Sequence, residues 1–114
     1  MHEVGIMESA MDLVRRYAGE QGATRVHVIA LRIGALSGVE PEALRFAFDV
    51  VTRGTLADGA TLEIEPVPAR VHCRACEEDF EVEEGFVFEC PRCGLLSNDI
   101  RQGRELELGR LEVS

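Results

Sequence analysis

Tryptophan and lysine are absent from this chain of 114 residues, and aromatic residues make up only 5% of it. No apolar run approaches the roughly 18 residues that a membrane-spanning helix requires. The first twelve residues also lack the basic start and the apolar core of a signal peptide. We therefore expect a cytoplasmic protein.

The chain also lacks any cluster of positive charge. Its 12 basic residues are all arginine and face 21 acidic residues, which gives a net charge of −9. Nucleic-acid binding needs concentrated positive charge, so that function is disfavoured. A Ser/His/Asp set, a Walker loop and a GxGxxG motif are all missing, which disfavours an enzyme. Glu40 and Glu42 flank Pro41, where a helix is expected to begin, and we interpret them as helix caps.

The first two thirds of the chain predict alternating helices and strands. A helical apolar period covers residues 4–20, and a run rich in Val and Ile predicts a strand over 24–34. A second helix begins at Pro41 and closes before Gly54, and alternation predicts a strand from Thr61 to Val67. The apolar positions of the first helix are Val4, Met7, Ala10, Met11, Val14, Tyr17 and Ala18.

The last third changes in character after Pro68. Residues 69–103 hold all four cysteines, and residues 104–114 alternate again in the manner of a strand, with Leu106 and Leu108 on one side. Because that strand needs a sheet partner, we expect it to return to the N-terminal sheet. The predicted fold is α+β. Residues 1–68 plus 104–114 form a small domain with two helices on a three- or four-stranded sheet, and 69–103 form an inserted zinc-ribbon-like domain.

Two CxxC pairs predict a metal site. Cys73 and Cys76 form the first pair, Cys90 and Cys93 the second, and 13 residues separate the pairs. Two such knuckles facing each other provide tetrahedral coordination by four sulfurs, which suits zinc. Four thiolates leave no coordination position open, so the zinc is expected to be structural. The spacer predicts a hairpin with strands at 79–82 and 86–89.

Other interpretations of the cysteines remain open. Two disulfides are disfavoured in a cytoplasmic chain, and redox CxxC pairs usually occur singly beside a sheet. A rubredoxin-like iron site is a third alternative, although Glu77 stands where glycine would follow the first pair. His72, which precedes Cys73, is either a surface histidine or an alternate ligand or protonation-dependent modulator of the site.

Histidine at position 2 suggests a second metal site. The terminal amine of Met1, the backbone nitrogen of His2 and its ring nitrogen form adjacent chelate rings around one ion. The backbone nitrogen of Glu3 can complete a square plane, a geometry that favours Ni(II) or Cu(II) over zinc. The Glu3 carboxylate could add a further contact. The alternative is a solvated terminal histidine, and His27, in the middle of a strand, is interpreted as structural.

The whole chain resembles the HypA/HybF family of nickel metallochaperones. The resemblance rests on the MHE start, on RIGALSGVEPEALRFAFDVVTRGT in the middle, and on the CxxC–13–CxxC pattern near the end. It implies Ni(II) as transient cargo bound at Met1, His2 and Glu3, and a structural Zn(II) at the four cysteines. The segment after Cys93 departs from some family members because it contains no histidine, and Asn98 or Asp99 stands in that region.

The resemblance also implies partners. It predicts a HypB-type GTPase, a hydrogenase large-subunit precursor and, for some members, urease maturation proteins, with no nucleic acid or membrane. The leading hypothesis is thus a non-enzymatic chaperone that delivers nickel during [NiFe]-hydrogenase maturation. The alternatives are a zinc-ribbon interaction module without labile metal and a rubredoxin-like iron electron carrier.

Overall fold

The computed structural model describes residues 2–82 and 87–114 and has the predicted α+β fold. Neither helix in this described part is both long and apolar enough to cross a membrane. The elements follow in the order α1 (Glu3–Glu20), β1 (Val26–Gly34), α2 (Pro41–Thr52), β2 (Thr61–Val67), β3 (Arg70–Cys73), β4 (Glu78–Glu81), β5 (Ile100–Gln102) and β6 (Leu106–Val113).

The first sheet has three strands in the order β2-β1-β6. Arg25 and Ser114 exchange backbone hydrogen bonds just beyond the ends of β1 and β6, and the N–H of Gly34 donates to Glu105 at the other end. These pairs make β1 and β6 antiparallel. The last strand of the chain therefore returns to the N-terminal sheet, as the alternation of residues 104–114 predicted.

Helices α1 and α2 pack against each other, and their buried faces are apolar except for Thr52 at the end of α2. A fully buried aliphatic side chain of this kind stabilises a fold by about 1.5–3 kcal/mol. The predicted apolar stripe of α1 is correct at five positions and wrong at two, because Val4 and Tyr17 are exposed. The largest fully buried side chains of α1, β1 and α2 are Met7, Met11, Val14, Val26, Ile29 and Leu44.

The start of α2 is capped as the sequence predicted. Glu40 is the N-cap residue, and its Oε1 accepts a hydrogen bond from the backbone N–H of Glu42 at 3.2 Å. Pro41 occupies the first helical position, where a missing N–H costs nothing. The Glu40 carboxylate therefore caps the helix, in agreement with the prediction that this residue is a helix cap.

The second sheet has the order β4-β3-β5, and β3 pairs antiparallel with both neighbours. The predicted hairpin between residues 79–82 and 86–89 is wrong in its pairing. Strand β4 pairs with β3, in a hairpin closed by Cys73 opposite Glu78. Val87 and Phe88 belong to no strand, and Glu89 forms an isolated bridge with Leu96. The predicted turn at Glu84 and Gly85, and the strand start at Phe86, lie outside the described residues.

The chain divides into two compact units. The first contains residues 1–32, 38–65 and 107–114, and the second contains 33–37 and 66–106. In the second unit, Val71, Cys73, Phe80 and Cys90 form a small buried cluster. The assignment of nickel to one domain and zinc to the other stays a prediction.

Candidate metal centres

The four cysteines converge on one point. Their Sγ atoms all lie within 4.8 Å of one another, and in residues 2–82 and 87–114 they form the one such group of potential metal ligands. The Sγ atoms of Cys73 and Cys93 are 3.6 Å apart, and those of Cys76 and Cys90 are 3.9 Å apart. A tetrahedron with zinc–sulfur bonds of about 2.3 Å has edges of about 3.8 Å. The arrangement therefore fits a zinc site with four cysteine ligands.

Backbone geometry produces the two knuckles. The residue after each second cysteine has a positive φ angle, 55° at Glu77 and 76° at Gly94. In the second knuckle the N–H of Gly94 donates to the carbonyl of Cys90 at 2.9 Å, and the N–H of Cys90 donates to Leu95. These bonds turn both thiols of the pair toward the same centre. Glu77 takes the turn conformation without being glycine.

The thiols of the metal-free cluster differ in acidity. A side-chain hydrogen bond with Cys93, together with partial desolvation, raises the pKa of Cys76 to about 12. The backbone N–H groups of Cys93 and Arg92 lower the pKa of Cys90 to about 7, because they donate to its thiolate. Cys90 is therefore about half ionised at pH 7 and mostly ionised above it, whereas Cys76 stays protonated at neutral pH.

His72 lies on β3 beside the cluster but is not a member of it. Its Nδ1 is 2.7 Å from Oδ1 of Asp79 on β4. Asp79 lies directly opposite His72 in the β3–β4 ladder. This is the cross-strand pair of an ordinary sheet surface, and the surface interpretation of His72 accounts for it.

Asp99 is engaged with a neighbouring arginine. Its carboxylate accepts hydrogen bonds from Nε and Nη2 of Arg101 at 3.1 and 2.9 Å. This guanidinium lowers the pKa of Asp99 below its usual value. Asp99, one of the two residues predicted to stand in the region where some family members carry a histidine, is thus held in a local ion pair.

His2 and Glu3 form the start of α1. His2 is the N-cap residue, its imidazole makes no capping hydrogen bond, and its carbonyl accepts from the N–H of Ile6 at 3.0 Å. Glu3 is the first helical residue, and the first N–H groups of an α-helix have no acceptor within the helix. A metal bound to the Glu3 nitrogen would therefore break no helical hydrogen bond. Met1, the third predicted ligand, lies outside the described residues.

The Glu3 carboxylate has a partner that sequence patterns did not indicate. Its Oε2 accepts from the backbone N–H of Glu40 at 3.3 Å. The bond joins residues that are 37 positions apart, so no local motif could have revealed it. The side chain suggested as an additional metal contact bonds to the N-cap residue of α2, and its contact with a metal stays a prediction.

Comparison with known proteins identifies the family. A family model described as "Hydrogenase/urease nickel incorporation, metallochaperone, hypA" matches residues 1–113. The hydrogenase maturation factor HypA of Acidithiobacillus ferrooxidans is 46% identical over 113 residues, which cover 99% of both chains. That of Picosynechococcus is 47% identical over the same length and the same shares.

Solved structures show the same fold. The solution structure of the nickel metallochaperone HypA from Helicobacter pylori superimposes with a TM-score of 0.72 at 24% identity, covering 99% of this chain and 97% of the other. At 24% identity, this structural similarity supports a shared fold and nothing further. The match of the family model and the identity of the relatives, each over nearly the whole chain, show that this protein belongs to the HypA family of nickel-incorporation metallochaperones.

Proposed function

We propose that this protein binds Ni(II) through Met1, His2 and Glu3 and delivers it during maturation of [NiFe]-hydrogenase. The donors are the terminal amine, the two backbone nitrogens and the imidazole of His2. The observation that carries the proposal is the start of α1. There the His2 ring is exposed and free of any capping bond, and the Glu3 amide lies outside the helical ladder.

Four nitrogen donors in a plane suit the cargo. Ni(II) and Cu(II) prefer square-planar nitrogen coordination, whereas Zn(II) has no such preference. Ligands at a chain terminus can bind a metal ion with little rearrangement of the fold. A partner protein can then displace these ligands from the ion one at a time. These properties suit an ion that must be held and then released.

In this proposal, Cys73, Cys76, Cys90 and Cys93 hold a structural zinc. The buried cluster around Val71 and Phe80 in the second unit is small, so the metal is expected to supply much of the stability of this unit. A fully coordinated zinc offers no open position for catalysis. The protein then acts as a carrier, not as an enzyme.

The proposed partners follow from the family. They are a HypB-type GTPase and the precursor of a hydrogenase large subunit, and the family description adds urease as an acceptor. We place this delivery in the cytoplasm. In this proposal, residues 1–68 plus 104–114 form the nickel-binding domain, and residues 69–103 form the zinc-binding domain.

The test is nickel titration of untagged protein that carries zinc. Wild-type protein should bind one Ni(II) with the absorption band of a square-planar complex, and His2→Ala should lose both. His27→Ala is the matched control, because His27 is exposed and its Nε2 bonds to Oγ of Ser114 at 2.7 Å. Acetylation of the amino terminus should abolish binding as well. Unchanged nickel uptake after acetylation would contradict the proposal, and a partner bound equally by His2→Ala would favour the interaction module.

A further inference from the structure

Helices α1 and α2 leave apolar side chains exposed on their outer side. Phe46 is 70% exposed, and Val4 and Val50 are each 47% exposed. Ala43, Phe46 and Val50 follow helical spacing, so α2 has a second apolar stripe besides the buried one that contains Leu44. We call the surface formed by Val4, Ala43, Phe46 and Val50 the α1–α2 groove.

Two recesses lie along this surface and adjoin at Val4. One recess of about 310 Å³ is lined by His2, Glu3, Val4, Ala43 and Phe46. A second recess of about 470 Å³ continues from Val4 toward Met11, Val50 and Val51. Because the two share Val4, the apolar surface extends from the proposed nickel ligands along the helix pair.

Acidic residues border the groove. Glu3, Glu8 and Asp12 line its α1 side, and the one arginine among the lining residues, Arg15, is paired with Asp12 at 3.3 Å. The border therefore carries an excess of negative charge. Complementary charge on a partner increases both the rate and the specificity of association.

Charge disfavours other occupants of this apolar surface. A second copy of the chain would bring the same acidic border and a net charge of −9. An anionic membrane surface would be repelled for the same reason. The remaining occupant is a basic segment with apolar anchors. The exposed stripe of α2 spans about seven residues, or about 10 Å, which matches about two turns of a docked helix.

We propose that the α1–α2 groove docks an amphipathic helix of a partner protein, whose apolar anchors are flanked by lysine or arginine. The inference rests on the proposed function in one respect: a partner seated here lies beside His2, where cargo would be transferred. Phe46 is the expected main anchor point, because a large exposed aromatic ring near the centre of a patch dominates binding energy.

The test uses a helical peptide of leucine and lysine in an amphipathic pattern, titrated into the zinc-loaded protein and followed by NMR. Shift changes should concentrate at Val4, Ala43, Phe46 and Val50. A peptide of the same pattern with glutamate in place of lysine should not bind. Phe46→Ser should weaken binding about tenfold or more, whereas Leu96→Ser, at a side chain that is 77% exposed in the other unit, should not.

The outcomes separate this inference from nickel binding. Phe46→Ser should keep wild-type nickel affinity, and His2→Ala should keep peptide binding. Shift changes elsewhere on the protein, equal binding of both peptides, or an unchanged affinity of Phe46→Ser would each overturn the docking surface. A wild-type protein that binds the peptide in this way but takes up no nickel would overturn only the proposed function.

Discussion

The carboxylate of Glu3 accepts a hydrogen bond from the backbone N–H of Glu40 at 3.3 Å. This bond fixes the first residue of α1 against the N-cap residue of α2, whose own carboxylate holds the N–H of Glu42. The backbone nitrogens proposed to bind nickel therefore lie in a segment anchored to the second helix. In the proposed nickel site, the Glu3 side chain is therefore a positioning group, and the proposed metal ligand is the main-chain nitrogen of Glu3.

Substitution of Glu3 tests this positioning role. Glu3→Ala should weaken nickel binding about three- to tenfold, because it removes one hydrogen bond that holds the ligand segment. Glu3→Gln keeps an acceptor oxygen and should restore most of the affinity. Both variants retain the backbone nitrogen, so the absorption band of bound Ni(II) should not move. Equal losses in both variants with a displaced band would show that the carboxylate itself is a ligand.

The sequence predicted the elements of the first unit well because their hydrophobic periods are long. Its errors lie at the edges of the α1 stripe, at Val4 and Tyr17. Helical spacing shows which residues share a face, but the position of α2 decides how much of that face is covered. The hydrogen bond between Glu3 and Glu40 could not be predicted from the sequence either, because it depends on how α1 and α2 pack.

The second unit was harder to predict because its strands are short. The sequence indicated the cluster of four cysteines from spacing alone, and the convergence of the sulfurs fits that expectation. The strand pairing was wrong because the first knuckle, between Cys73 and Glu78, itself closes the hairpin. The pattern of apolar residues around Phe80 is too short to choose between two partners.

Gly34 lies where two backbone segments of the second unit touch. A Cβ on Gly34 would overlap the carbonyl oxygen of Gly103, while Leu36 N–H donates to that same oxygen at 2.6 Å. Gly34→Ala should therefore destabilise the protein by about 2 kcal/mol or more, since the obstructing atoms are backbone. Denaturant unfolding of the zinc-loaded protein measures the loss.

Gly19→Ala provides the matched control. Gly19 lies within α1, and an added Cβ would meet nothing within 4 Å. Alanine is favoured over glycine in a helix by roughly 0.5–1 kcal/mol, so this variant should be as stable as wild type or slightly more stable. A similar effect of both substitutions would refute the steric argument at Gly34.

Glu77 adopts a left-handed conformation with φ of 55°, which a non-glycine residue tolerates poorly. Its side chain is exposed. Glu77→Gly should therefore stabilise the zinc-loaded protein by about 1 kcal/mol. The equivalent Gly94→Ala, where an added Cβ would have only an ordinary contact with Glu89, should destabilise it by a similar amount. A thermal unfolding series of both variants measures the two effects, and a shift of the same sign in both would contradict this account.

Zinc uptake should depend on pH in a way set by Cys90. The pKa of this thiol falls from 9.0 to about 7 because backbone N–H groups donate to the thiolate. A lowered pKa favours the metal-free fold above the ordinary pKa, and this contribution is lost as the pH falls through about 7. Below that pH, zinc must displace a proton from Cys90 as well as from Cys76, whose pKa of about 12 keeps it protonated throughout.

The number of protons released per zinc should therefore rise by about one as the pH falls from about 8 to about 6. Calorimetry in two buffers of different ionisation enthalpy gives this number directly. His72→Gln is the control for the neighbouring imidazole. If the change in proton release persists in this variant, the cysteines are its source. A proton count that stays constant over this pH range would show that Cys90 is not ionised in the metal-free protein.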